Sequence, residues 1–289
     1  MDETDADPAA ELAGAQRRLR RRMLWAIGGA AVAIALSVGV IAVCNRPGPE
    51  VPDIARPYLW RVDAPAGPSY LFGTLHIGYA TGDLPRAVLA AQDGARTTVV
   101  ESDLLTERPP RLRPPDEGRV RLEPGEWRQL AETTRVAEGE LVTWDSSRLV
   151  GALIVALAPR VEPMDRGLQA RAAKLGKEIV FLEDRFLEAV MDEQAIISGL
   201  SVAIRHRAQF RAELLAMVRR YSTGEEAGCA GDSLGGLVAD LNQSWKGAIE
   251  REVRRGGAFV AIGCGHLVGP DSIVEHLKNQ GLAVRRVDR

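Results

Sequence analysis

The chain has 289 residues, 46% of them hydrophobic and 26% charged, which suits one large α/β domain or two small ones. Its formal net charge of -2 gives no global basic field, so nucleic-acid binding is set aside and no such partner is expected. Three cysteines make an odd, sparse set that does not suggest a disulfide framework.

The N-terminus reads as a system of its own. Residues 1–22 begin acidic, with Asp2, Glu3, Asp5, Asp7 and Glu11, and end in a cluster of Arg17, Arg18, Arg20, Arg21 and Arg22. A disordered cytoplasmic tail is expected there. Residues 23–44 carry no charge at all and match the length of about 20 residues that crosses a hydrocarbon core. The arginines precede this run and only Arg46 follows it closely, so the positive-inside rule puts the N-terminus in the cytoplasm and the rest outside. A cleaved leader would have a shorter apolar core and an Ala-x-Ala-like site. Lipid attachment at Cys44 would want a small residue where Val43 stands. A single-pass transmembrane anchor in the cell membrane is therefore expected, followed by a Pro-rich tether over residues 45–57.

The folded part, residues 58–289, opens with Tyr58 to Val62, a turn at Ala66-Gly67-Pro68, and Ser69 to Phe72, which reads as a hairpin. A helix starting near Pro85 and ending before Gly94 comes next, then a buried strand, Thr97 to Val100. Leu104 to Gly118 holds four prolines and reads as a surface loop or lid. Glu123 to Leu157 is helical, with Asp145 a cap for its last helix. Asp165 to Leu175 reads as a helix ended by Gly176, and Lys177 to Leu182 as a strand. Residues from about 186 to 254 form a helical insertion: an exposed helical hairpin or cap to Tyr221 broken near Gly199, a Gly-rich loop, and a helix from Leu237 to Arg254. A strand at Phe259 to Ile262, a helix at Ser272 to Asn279 and a strand at Leu282 to Val287 complete the chain. Strands alternating with helices imply an α/β fold, with a largely parallel central sheet and helices on both faces.

Two of the four histidines occupy identical contexts, in Gly73-Thr74-Leu75-His76 and Gly263-Cys264-Gly265-His266, each just past a strand on a glycine-shaped turn. Two further strands end in carboxylates, Glu101 and Glu183. In open α/β sheets ligands bind beyond the carboxyl ends of the strands, where parallel neighbours would bring these four side chains together. Two imidazoles and a carboxylate suit a divalent metal, manganese, cobalt or zinc, with positions left for water. His76, His266 and Glu101 are then the candidate ligands, and Glu101 and Glu183 the candidate acid–base groups. Gly73 and Gly263 would let substrate approach the backbone closely. Either carboxylate could instead cap a helix or pair with a cation. Asp103 reads as a cap and Asp165 is ambiguous. His206 and His276 read as solvated, and Cys264 as a small residue filling a tight turn, with a metal ligand or a nucleophile as its alternatives. Gly231-Asp232-Ser233-Leu234 spells a serine-hydrolase signature, yet it sits late and no Asp-x-x-His follows it.

The paired Gly-x-x-His turns, Val99-Val100-Glu101-Ser102-Asp103, and the run from Asp165 to Glu183 resemble the TraB/GumN family, relatives of the Tiki metalloproteases. Its wider superfamily takes in erythromycin esterase-like and haem-binding ChaN-like proteins. The resemblance spans Tyr58 to Val287. It implies metal-dependent hydrolysis, with a peptide or protein near the membrane as substrate, and adds Asp165 and Asn242 to the candidate substrate-binding positions. The family often has an arginine just before the asparagine that precedes its tryptophan. Here Asn242 and Trp245 are present but Leu241 stands where that arginine would be. Two alternatives remain: a non-catalytic protein sequestering a peptide or a haem on the same histidines, and an esterase or lactonase that needs no metal.

Overall fold

The computed structural model describes residues 51–106, 120–159, 164–182, 193–229 and 235–288. The tail and anchor run (residues 1–44), most of the Pro-rich loop after Leu104, Glu183, and the Gly231-to-Leu234 signature lie outside the described residues. Among the described residues no helix is long and apolar enough to cross a membrane.

The fold is a mixed α/β arrangement around a six-stranded sheet. Its strands are β1 (Leu59–Ala64), β2 (Gly67–Thr74), β3 (Thr97–Val100), β4 (Glu178–Phe181), β5 (Ala258–Gly263) and β6 (Ala283–Arg286), in the spatial order β4-β3-β5-β2-β1-β6. Pairings β4–β3, β3–β5 and β5–β2 are parallel, whereas β1 runs antiparallel to both β2 and β6. The reversal follows from the hairpin: β1 and β2 are joined by a two-residue turn, and Gly67 takes a φ of +118° there. β5 lies between two parallel neighbours, and Ala258 to Ile262 are all buried, the continuous apolar run expected of a strand covered on both faces.

Nine α-helices are present among the described residues: α1 (Arg86–Gly94), α2 (Pro124–Thr134), α3 (Glu138–Leu141), α4 (Ser146–Leu157), α5 (Met164–Lys174), α6 (Glu193–Arg205), α7 (Arg207–Thr223), α8 (Gly235–Arg254) and α9 (Ile273–Asn279). Several ends are set by local chemistry. Asp145 accepts from the Arg148 N–H at 2.7 Å to cap α4, and Ser272 accepts from the Glu275 N–H at 3.2 Å to cap α9. After α5, Gly176 takes a φ of +65° that L residues rarely adopt. Helices α5 and α8 pack on the sheet, and α2, α4, α6 and α7 pack on one another.

Four expectations are corrected. The break between α6 and α7 falls at His206, not Gly199, which is buried inside α6. The pair is not an exposed hairpin: it buries Ile197, Leu200, Ile204, Phe210, Leu214, Val218 and Tyr221 in the core, and that burial outweighs the glycine's weak helix propensity. His276 is not simply solvated, because its Nε2 pairs with Glu250 Oε2 at 3.1 Å. Cys264 is bridged to Cys229 across 35 residues, with the two Cα atoms 5.6 Å apart.

Candidate active site

The site lies beyond the carboxyl ends of three neighbouring parallel strands. His76 follows β2 by two residues, Glu101 directly follows β3, and His266 closes a short 3₁₀ turn after β5. Because β5 lies between β3 and β2, the three side chains meet over its end. Gly263 marks the meeting point. A side chain built there would stand 3.3 Å from Glu101 Oε1 and 3.5 Å from both His266 Cδ2 and His76 Nε2. Both imidazoles are 8% exposed, and Glu101 is buried.

Each ring is held through Nδ1. On His76 that nitrogen lies 2.7 Å from Asp165 Oδ2, a carboxylate on the first turn of α5 that can only accept, so Nδ1 carries the proton. His266 Nδ1 lies 2.8 Å from Asn242 Oδ1 on α8. The Asn242 amide cannot be turned over, because its Nδ2 donates to the Asp271 carbonyl at 3.1 Å. Nδ1 of His266 is therefore protonated and Nε2 keeps a lone pair. Trp245, one helical turn on from Asn242, walls the same ring, with centroids 4.6 Å apart. Glu101 Oε1 accepts from the Gly263 N–H at 2.6 Å, while Oε2 lies 4.0 Å from His76 Nε2.

The two rings are charged differently. Burial pulls His76 down, but the bonded Asp165 carboxylate, with Glu101 behind it, outweighs burial and raises its pKa to about 9. Burial and then the charge on His76 push His266 down to about 3. At neutral pH the free site therefore pairs an imidazolium with a neutral imidazole.

The free protein's stability follows from this. His76, raised from 6.5, contributes stability that is complete below pH 6.5 and lost as pH climbs through about 9. His266, depressed from 6.5, contributes stability that is present above pH 6.5 and lost as pH falls toward about 3. Asp165→Asn removes the group that holds His76 charged, so its titration falls and the alkaline loss shrinks. Thermal midpoints measured against pH, with imidazole proton shifts, check this. An alkaline limb identical in Asp165→Asn contradicts the assignment.

Of the positions singled out in sequence, His76, His266, Glu101 and Gly263 come together, and Asp165 and Asn242 stand behind the imidazoles rather than in the open centre. Gly73 faces away: a Cβ there would meet Cys264 Cβ at 2.8 Å and Tyr58 Cβ at 2.9 Å, so the glycine serves a close chain crossing. Asp103 is a cap, its Oδ1 accepting from the N–H groups of Leu105 and Thr106 at 2.9 and 3.1 Å. Leu241 is half-buried against the core. Sequence reasoning missed three supports: Trp245 as a wall, Tyr221, whose hydroxyl donates to the Gly73 carbonyl at 2.7 Å, and the Cys229–Cys264 bridge. The three-residue spacing of Asn242 and Trp245 on one helix was the available signal.

Residues 58–286 match the model of the TraB/PrgY/gumN family. No curated protein and no solved structure matches the chain.

Proposed function

We infer, since the chain belongs to the TraB/PrgY/gumN family, that it is a membrane-anchored, metal-dependent hydrolase of peptidase type. Its substrate would be a peptide or protein on the extracytoplasmic side of the membrane. The observation that carries the reading is the convergence of His76, His266 and Glu101 beside Gly263, with both Nδ1 atoms engaged by oxygen. Metal-binding histidines are oriented in that way, by an acceptor on the nitrogen that faces away from the ion.

The donor set fits a divalent ion such as manganese, cobalt or zinc. Donors on one such ion, each at about 2.1 Å, stand roughly 3.0–3.4 Å apart. His76 Nε2 and Glu101 Oε2 are 4.0 Å apart, so loading requires them to close in, and among the described residues no three such groups already stand close enough. A bound ion would lower the pKa of its water and polarise the scissile carbonyl. The chain's own part is positional. Asp165 retains the Nδ1 proton of His76 while Nε2 releases its own, Asn242 fixes the tautomer of His266, and the Gly263 N–H holds Glu101 so that Oε2 is offered to the ion or its water.

Two features support the placement. The uncharged run over residues 23–44 has the length and flanking charge of an anchor. The Cys229–Cys264 bridge belongs to an oxidising compartment. One feature favours a second reading, a non-catalytic binding protein: Leu241 is apolar and packs against the core at the position where the family resemblance implies an arginine.

The test is cleavage of a peptide library by the full-length protein in detergent. Cleavage abolished by chelation and restored by manganese, cobalt or zinc is expected. Turnover that survives exhaustive chelation overturns the proposal in favour of a metal-independent esterase type. Tight binding without turnover overturns it in favour of the sequestering protein.

A further inference from the structure

The first Gly-x-x-His turn opens with a buried, unpartnered hydroxyl. Thr74 is 1% exposed, and its Oγ1 has no hydrogen-bond partner among the described residues. A hydroxyl shut away from water without a partner is costly, so buried groups of this kind are rare and call for a reason.

Position supplies the reason. In the parallel ladder Thr74 pairs with Gly263. Residues paired across such a ladder send their side chains to the same face, with strands about 4.8 Å apart. The missing side chain of Gly263 points at Glu101 Oε1, His266 Cδ2 and His76 Nε2, so the Thr74 side chain rises beside that same point. The alternation is verified lower on the strands, where Phe72 and Phe259 stack on this face with ring centroids 6.1 Å apart. Thr98 Oγ1 is unpartnered too, but it belongs to the Phe259 rung, deep in the sheet and away from the strand ends.

We propose that the Thr74 hydroxyl is a ligand-binding donor of this site, one that hydrogen-bonds an oxygen of the bound substrate. This rests on the hydrolase reading for its role. Water gives a proton to Glu101 as its oxygen adds to the scissile carbonyl carbon and the carbonyl π pair moves onto the carbonyl oxygen. That pair then re-forms the carbonyl as the C–N bond breaks and the leaving amine takes the proton from Glu101. Thr74 would donate to the carbonyl oxygen as its charge grows, without gaining or losing an atom.

The test uses full-length wild-type protein, Thr74→Val and Thr74→Ser, with inorganic phosphate as a tetrahedral oxyanion probe read by calorimetry. The Thr74→Val protein is expected to melt at or above the wild-type temperature without ligand, because the change removes an unsatisfied group. It is expected to bind phosphate at least ~10-fold more weakly, the scale of a hydrogen bond to a charged acceptor. Thr74→Ser, which keeps the donor, is expected to stay within ~3-fold of wild type. A lower melting temperature for Thr74→Val shows that the hydroxyl already has a partner in the protein and overturns the proposal. Equal phosphate affinity in Thr74→Val and wild type, or no phosphate binding by wild type, overturns it as well. Phosphate binding needs no turnover, so a phosphate contrast that holds while no peptide is cleaved removes the hydrolase reading and leaves the hydroxyl's binding role standing.

Discussion

Reduction of the Cys229–Cys264 bridge is expected to lower the stability of the folded chain by about 3–4 kcal/mol, the range for closing a loop of this length. The bridge spans 35 residues and ends one position after Gly263 and two before His266, so it clamps the second Gly-x-x-His turn. The turn at Glu226–Gly228 that carries Cys229 is otherwise held by the Tyr58 hydroxyl, which donates to the Glu225 carbonyl. Gly228 there lies against the Arg220 carbonyl, leaving no room for a side chain. With the sulfurs parted, the Tyr58 hydroxyl and packing remain to keep that strap beside the second Gly-x-x-His turn. Urea midpoints of oxidised protein, reduced protein and the Cys229→Ala/Cys264→Ala double variant provide the check. Coincident curves for all three contradict the prediction.

Gly73→Ala and Gly263→Ala are expected to fail in opposite ways, although both glycines open the same motif. At Gly73 a methyl would stand 2.8 Å from Cys264 Cβ, 2.9 Å from Cys264 Cα and 2.9 Å from Tyr58 Cβ. None of these can swing aside: Cys264 is bridged, and the Tyr58 carbonyl accepts from the Gly73 N–H at 2.7 Å. Overpacking against fixed atoms should cost about 3 kcal/mol. At Gly263 the nearest contact is 3.3 Å, and the φ of −49° suits any residue. Stability there should change by less than about 1 kcal/mol, while the methyl occupies the space between Glu101 and the two imidazoles. Urea unfolding of both variants, with ion uptake measured on Gly263→Ala, distinguishes them. A folded, ion-binding Gly263→Ala contradicts the site as described.

Much of the sheet was legible because its signals are local. Gly/Pro punctuation and β-branched runs placed the hairpin, β3 and β5 within two residues, and Asp145 announced the helix it caps. The α6–α7 break was misread because glycine is the usual breaker, whereas here core burial keeps Gly199 helical. Repetition of Gly-x-x-His singled out both imidazoles, since a strand end fixes where the next few side chains can reach. What holds the rings was less visible. Asp165 is 89 residues from His76, and Asn242 is 24 from His266, so their roles depend on how α5 and α8 dock. The cysteine pairing escaped for the same reason, because an odd count leaves connectivity to tertiary structure.

The measurement that bears most directly on the central claim is a cobalt(II) titration of the full-length protein followed by visible absorption, alongside His76→Ala and His266→Ala. One equivalent bound by wild type with nitrogen–oxygen ligand bands, and none by either variant, is the result expected of two imidazoles sharing one ion. Cobalt uptake that is unchanged when either histidine is removed, or no uptake by wild type, would contradict it.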